Sequence, residues 1–146
     1  MMNNKINTIL ATDARKDWSR LIDTVVHDRP HIIRRTRDYV FMTDLHMIED
    51  ILLAYNFTAE RYIEEDGSVT LSLNELDLVA NGLTESDTKR ILAADILDYA
   101  EEYYDDFKYW SSTANRKKHI PYVLKALILD DIDRIGEVIQ CQAGKN

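Results

Sequence analysis

Arg15, Arg34, Arg35 and Arg37 stand in the first forty residues at positions where no apolar core needs them. A guanidinium is planar and permanently charged, and its fork of N–H donors meets a phosphate or a guanine edge two bonds at a time. Thr12 offers a helix N-cap and Ala14-Arg15 opens an amphipathic helix, which puts Arg15 in a first turn, where the helix end already draws anions. Lys16 adds a second cation beside it. The run His31–Thr36 reads as a strand, so Arg34 and Arg35 project to opposite faces and at most one shares a surface with Arg15. Arg37 flanks the following turn, with Asp38 expected at its centre. Thr12, Arg15, Lys16, Arg34, Arg35 and Arg37 are thus the candidate anion-binding set. A solvated hairpin with ordinary charge pairs is the competing reading.

A second set has the opposite charge. Asp98, Glu102 and Asp106 are spaced i, i+4, i+8 on a long helical run, with Glu101 and Asp105 beside them. Such a row suits a basic partner, although charge runs also line solvated helix faces. A metal-dependent nuclease would need oxygen ligands from a second element, and the sequence offers no second cluster. Tyr99, Tyr103, Phe107 and Trp110 fall on one stripe with Ile96, which indicates core rather than base stacking. The patch Arg116-Lys117-Lys118-His119 precedes Pro121 and reads as a basic loop able to touch phosphate or simply to solubilise. Histidines 27, 31, 46 and 119 are scattered, without zinc-site spacing. No glycine-rich phosphate loop or nucleophile elbow is present. These absences favour a protein that is not an enzyme and carries no cofactor.

Composition sets the frame for both sets. The chain has 146 residues, 45% apolar and 30% charged, which are globular values. Four glycines and two prolines favour long regular elements. The lone Cys141, expected in a terminal tail, rules out a disulfide framework and fits a cytoplasmic protein. No run reaches the roughly 18 apolar residues of a membrane span, and no signal peptide is expected. Charge is divided unevenly: residues 1–50 hold eight basic and eight acidic residues, while the rest hold ten and eighteen. The net charge of −8 therefore belongs to the second part, which argues against indiscriminate nucleic-acid binding.

The pattern of elements follows from periodicity. Ile6–Leu10 is a strand. Trp18, Leu21, Ile22 and Val25 recur at helical spacing, and Pro30 ends that helix. Two strands flank the Arg37-Asp38 turn. Thr43 or Asp44 then caps a helix bearing Leu45, Ile48, Ile51, Leu52 and Tyr55. Asn56-Phe57-Thr58 is the expected boundary. Beyond it, Tyr62–Glu65 and Ser68–Leu73 alternate around Asp66-Gly67, a hairpin signal. Thr84 caps a long helix with a stripe through Ile91, Ala94, Ile96 or Leu97, Tyr99, Tyr103, Phe107 and Trp110, and a helical period continues from Pro121 to Ile139.

Residues 6–54 resemble the N-terminal domain of the prevent-host-death/YefM antitoxins. The resemblance runs through Ile6–Leu10, Thr12-Asp13-Ala14-Arg15, Leu21-Ile22, Pro30, Ile32-Ile33-Arg34-Arg35 and the helix with Leu45 and Ile48. It implies a homodimer, or a higher oligomer, that binds an operator palindrome and represses its own operon. It further implies that Arg15 and Arg35 touch DNA. The turn Thr36-Arg37-Asp38 departs from the family in lacking its usual glycine. Residues 62–99 are similar to the HicB-type antitoxin domain through Glu65–Ser72, Leu76, Asn81-Gly82-Leu83-Thr84 and the helix with Ala93, Leu97 and Tyr99.

The expected fold is α+β: a small β-α-β-β-α dimerising DNA-binding domain over 1–56, then an acidic, mostly helical domain with one hairpin over 57–146. The expected function is that of a type II antitoxin, with operator DNA, a basic toxin and a second copy as partners, and no membrane. A transcriptional regulator or adaptor without a toxin is the alternative. An adjacent small basic reading frame would separate the two.

Overall fold

The computed structural model describes residues 5–145. They form two compact units, one through Ile51 and one from Leu52. The α+β fold class holds for the chain as a whole. The first unit runs β1 (Thr8–Leu10), α1 (Ala11–Lys16), α2 (Trp18–His27), β2 (His31–Arg35), β3 (Asp38–Met42) and α3 (Leu45–Leu52). β2 is central, parallel to β1 and antiparallel to β3, with Ile9, Ile33 and Val40 in register. The parallel pair requires a crossover, which α1 and α2 supply.

The expected single first helix is two helices. α1 begins at Ala11, so Thr12 lies inside its first turn, and Leu10, which has no capping oxygen, is the N-cap. At Asp17 the backbone leaves the helical region and α2 starts afresh. The break changes the helical phase: Trp18, expected on the apolar stripe, is turned to solvent. Ala14, Leu21 and Val25 instead meet Ile9, Ile33 and Met42 in one small core. The hairpin is also re-centred. Arg35 pairs with Asp38, so Thr36-Arg37 is the loop and Asp38 opens β3. Thr36 takes φ +56°, at a loop position usually filled by glycine.

The second unit contains β4 (Phe57–Ile63), β5 (Val69–Leu73), β6 (Val79–Gly82), α4 (Glu85–Asp105), α5 (Phe107–Trp110), α6 (Ala114–Lys117), α7 (Ile120–Leu129), α8 (Ile132–Val138) and β7 (Ile139–Ala143). The expected hairpin is β4–β5, turned by Gly67 at φ +84° and by Asp66, which accepts from Ser68 N and Oγ at 2.9 and 2.6 Å. Two further strands extend it into a sheet of order β6-β5-β4-β7. β7 corrects the sequence reading: Cys141 is half-buried in an edge strand parallel to β4, not in a tail. The helical period after Pro121 is likewise interrupted, because Asp130 adopts a left-handed conformation that ends α7. Asp131 then caps α8, accepting from Arg134 N at 3.0 Å.

α4 packs against β5, β6, α7 and α8. Its expected cap is present, Thr84 Oγ1 accepting from Asp87 N at 3.1 Å. Leu92, Ala93, Ile96, Ala100 and Tyr103 are buried with Phe57, Leu71, Val123 and Ile135 in a continuous core. Each large buried side chain contributes about 1.5–3 kcal/mol of transfer free energy. The buried face is shifted from the expected one, with Leu92 and Ala93 inside and Ile91 exposed. Thr88, fully buried, ties the helix to the sheet by donating to Val69 O at 2.9 Å.

That tie explains the glycine ending β6. A Cβ on Gly82 would stand 2.8 Å from Thr88 Oγ1 and 3.0 Å from Thr88 N. Gly82→Ala is therefore expected to destabilise the second unit by about 1–3 kcal/mol, the usual cost of overpacking. Denaturant unfolding checks this, and Thr88→Ala in the same chain should recover part of the loss by removing the hydroxyl.

Candidate nucleic-acid and partner surfaces

Arg15, Arg35 and Arg37 are exposed on the first unit, whereas Arg34 is half-buried. Arg15 and Lys16 occupy the last turn of α1 rather than a first turn. The helix N-terminus therefore does not assist Arg15, and any anion it binds is held by its own guanidinium. Thr12 is exposed one turn earlier, and Lys16 Nζ lies 3.7 Å from Asp13. Strand alternation separates the arginine pair. Arg35 projects on the face that carries Ile33 and receives α1, and its one carboxylate neighbour is Asp38 at 3.5 Å. Arg34 projects on the other face between Leu10 and Tyr39, half-buried, with its Nε lacking a partner among the described residues. Arg37 is exposed in the hairpin loop. The structure thus groups Arg15 and Arg35 on one side of the sheet and sets Arg34 apart.

Beside these charges the unit exposes apolar surface. Tyr39, Val40 and Phe41 are consecutive in the edge strand β3 and are 40%, 57% and 50% exposed. Leu45 and Ile51 of α3 are exposed as well. A cleft of about 180 Å³ lies elsewhere in the unit, lined by Asp13, Asp17, Arg20, Thr24 and His31 over apolar Ile9 and Leu21. His31 is buried there, with Nδ1 3.0 Å from Arg29 O. Nothing in the spacing of the sequence marked it.

In the second unit, Asp98 and Glu102 are exposed on α4. Asp106 departs from the expected row. α4 ends at Asp105, and Asp106 is the C-cap residue with φ −133° and ψ 55°. Among the described residues, Asp98, Glu101, Glu102, Asp105 and Asp106 make no ion pair. Asp95, partly buried beside Asp98, has its carboxyl pushed above the ordinary range by burial and then by that neighbour. Among the described residues, no three His, Cys, Asp or Glu side chains are placed to hold a metal ion.

The basic segment is more built than a solubilising loop. Arg116 sits on α6 with its guanidinium carbon 5.2 Å from the Trp110 ring centre and 5.7 Å from that of Tyr99. It donates to Tyr99 Oη at 2.9 Å, and its carbonyl accepts from Tyr103 Oη at 2.8 Å. His119 is only 2% exposed, with Nδ1 2.7 Å from Tyr99 Oη. Its Nε2 is buried without a partner among the described residues. Lys125 is buried as well. It donates to Tyr55 O at 2.7 Å and lies over the Phe57 ring, pinning the chain where it enters the sheet. Burial lowers its ammonium pKa.

With this geometry in view, the chain can be compared with known proteins. A family model described as PHD-like, antitoxin of toxin–antitoxin, RelE/RelB, TA system, matches residues 2–141. A crystal structure from Syntrophomonas wolfei subsp. wolfei, described there as an antitoxin part, is similar at 37% identity and a TM-score of 0.89. The likeness covers 95% of this chain and all of the other. No curated protein matches.

The His119 contacts also set a pH dependence. Burial first, then the Arg116 charge, lower the imidazole pKa; Asp77 opposes them, and Lys118 adds a smaller lowering. The unfolded chain then takes up a proton near the ordinary value of about 6.5 that the folded chain refuses. This effect is absent above that value and weakens the fold as pH falls below it. Between pH 7 and 5.5 the unfolding free energy of the wild type is expected to fall further than that of His119→Asn. Parallel urea titrations of the two proteins measure the difference.

Proposed function

The chain belongs to the PHD-like family of toxin–antitoxin antitoxins, and from that premise we propose that it represses its own operon and captures a basic toxin. The first unit, acting as a homodimer in the YefM manner, binds the operator. The second unit, with the acidic character of a HicB-like partner domain, binds the toxin. The protein works in the cytoplasm, where its DNA lies, and by binding alone, without catalysis. No described helix is long and apolar enough to cross a membrane.

One observation carries this reading: the first unit exposes guanidinium groups and uncovered apolar surface side by side. Three consecutive exposed apolar residues on an edge strand invite pairing with another chain. A second copy laid along β3 and α3 covers them and presents Arg15 and Arg35 twice, related by a two-fold axis. Thr12, Lys16 and Arg37 support the contact, and Arg34 is the least favourably placed member of the set. The second unit contributes a complementary argument. Among the described residues its exposed Asp98, Glu102 and Asp106 make no ion pair, and type II toxins are often basic.

A salt series of gel shifts on the chain's own upstream region tests the DNA half. A palindrome with half-sites about one helical turn apart is expected to be required. Arg15→Ala should weaken all binding and flatten its salt dependence, as lost phosphate contacts do. Arg35→Ala should cost roughly 1–3 kcal/mol more on the operator than on random duplex if it reads a base edge. Light scattering on the same samples should report a dimer. A monomer, or no binding at low salt, would return the arginines to the role of surface charge.

The toxin half is tested by reversing Asp98 and Glu102 to lysine, with Asp106→Lys as a separate variant because it lies off the helix. Capture of the toxin encoded beside this gene should be lost in the double variant, with the thermal transition retained because both residues are exposed. Undiminished capture would assign the face to solvent.

A further inference from the structure

The stripe of Tyr99, Tyr103, Phe107 and Trp110 belongs to the core or packs on it, but two neighbouring tyrosines do not. Tyr104 and Tyr109 are 62% and 66% exposed. Tyr109 stands against Trp110 with ring centres 5.5 Å apart and planes at 84°, which makes an open aromatic corner. A cleft of about 420 Å³ begins there, lined by Tyr109, Trp110, Ser112, Thr113, Asn115 and Arg116. No carboxylate lines it. Lys108, Arg116, Lys117 and Lys118 gather four of the unit's cations within eleven residues. Among the described residues none of the four lies within ion-pair distance of an acid. That is a notable arrangement in a unit with eighteen acidic residues to ten basic ones.

We propose that this cleft binds a nucleotide unit, its base stacked on Tyr109 against the Trp110 wall and its phosphate held by Arg116 with Lys117 or Lys118. Stacking on an aromatic face is open to every base, and a basic margin tracks the phosphates; together they form the usual platform for single-stranded nucleic acid. Arg116 is held ready for this by the Tyr99 hydroxyl and by two rings, which use one of its N–H donors and leave the others free. Ser112, Thr113 and Asn115 offer hydrogen bonds to a sugar or a base edge. An acidic peptide would satisfy the cations but has no use for the aromatic corner, and so the nucleotide fits better. A free nucleotide and a single strand both supply a base and a phosphate, and titration with each separates them.

The full chain carrying Trp18→Phe leaves Trp110 as the single tryptophan, so its fluorescence reports this cleft and not the first unit. Titration at low salt with an oligouridylate of about eight nucleotides, the site size of such platforms, is expected to quench it. Tyr109→Ala should weaken binding about tenfold, the scale of one lost stack. Lys117→Glu with Lys118→Glu should weaken it similarly and reduce the salt slope. Uridine monophosphate quenching as tightly as the oligomer would identify a free nucleotide as the ligand; much tighter binding of the oligomer would identify a strand. All these substitutions lie on exposed side chains, so the thermal transition should be kept. No quenching by either probe overturns the proposal, as does binding indifferent to Tyr109→Ala. A polyglutamate peptide binding as tightly as the oligomer overturns it too, in favour of an acidic protein partner.

Discussion

A three-stranded sheet has two faces and two edges, and the helices of the first unit serve only part of that surface. Ala14, Leu21 and Val25 form its buried cluster, packed on Ile9, Ile33 and Met42, and Ile32 is buried besides. On the opposite face, Leu10, Tyr39 and Phe41 remain substantially exposed while Arg34 lies between the first two. Burying so little apolar area leaves a unit of this size close to the limit of independent stability. The apolar strand and the arginines are therefore linked features. Tyr39 pairs with Arg34 and Val40 with Ile33, so a chain that covers β3 also borders the arginine-bearing strand. In the proposed dimer, DNA affinity and dimer stability would rise and fall together by mass action.

The second unit solves the burial problem alone, and α4 is the reason. It packs against β5, β6, α7 and α8. Thr88 and Gly82 set its distance from the sheet, and Arg61 joins the margin of the sheet to the first turn through Glu85 at 2.6 Å. A helix so committed on its inner side carries Asp98 and Glu102 on its exposed side. The end of α4 at Asp105 has a further consequence. Because the chain turns there, Phe107 and Trp110 still reach the core while Tyr104 and Tyr109 do not.

The elements legible in the sequence were those specified locally. Thr84 capping α4, Pro121 in the first turn of α7 and Asp66-Gly67 in the hairpin each act within a few residues of chain, and each is where the pattern placed it. What escaped the pattern was decided at long range. β7 reads as the end of a helical period and becomes a strand because β4 offers it a parallel edge. The break at Asp17 has no glycine or proline to announce it; it follows from the need to bring Ala14 and Leu21 to one cluster. Arg15 moved from a first turn to a last turn for the same reason. His119 and Lys125 were invisible because a polar residue in a polar stretch signals exposure, and their burial depends on Tyr99 and Tyr55, at least twenty residues away in sequence.

Charge repeats this lesson at two scales. The net charge of −8 describes neither unit: the first is neutral with outward arginines, and the second is acidic with a basic margin at residues 108–118. Screening explains why such mixtures work. At physiological salt a fixed charge is felt over about 8 Å, so an anion at the Tyr109–Arg116 cleft is governed chiefly by the side chains that line it. The acidic total acts instead on encounters that are not specific, opposing the loose coating of nucleic acid that a uniformly basic protein would suffer. For the proposed functions, selectivity on either unit would come from short-range geometry, such as the fork of Arg35 or the ring of Tyr109, and not from the overall field.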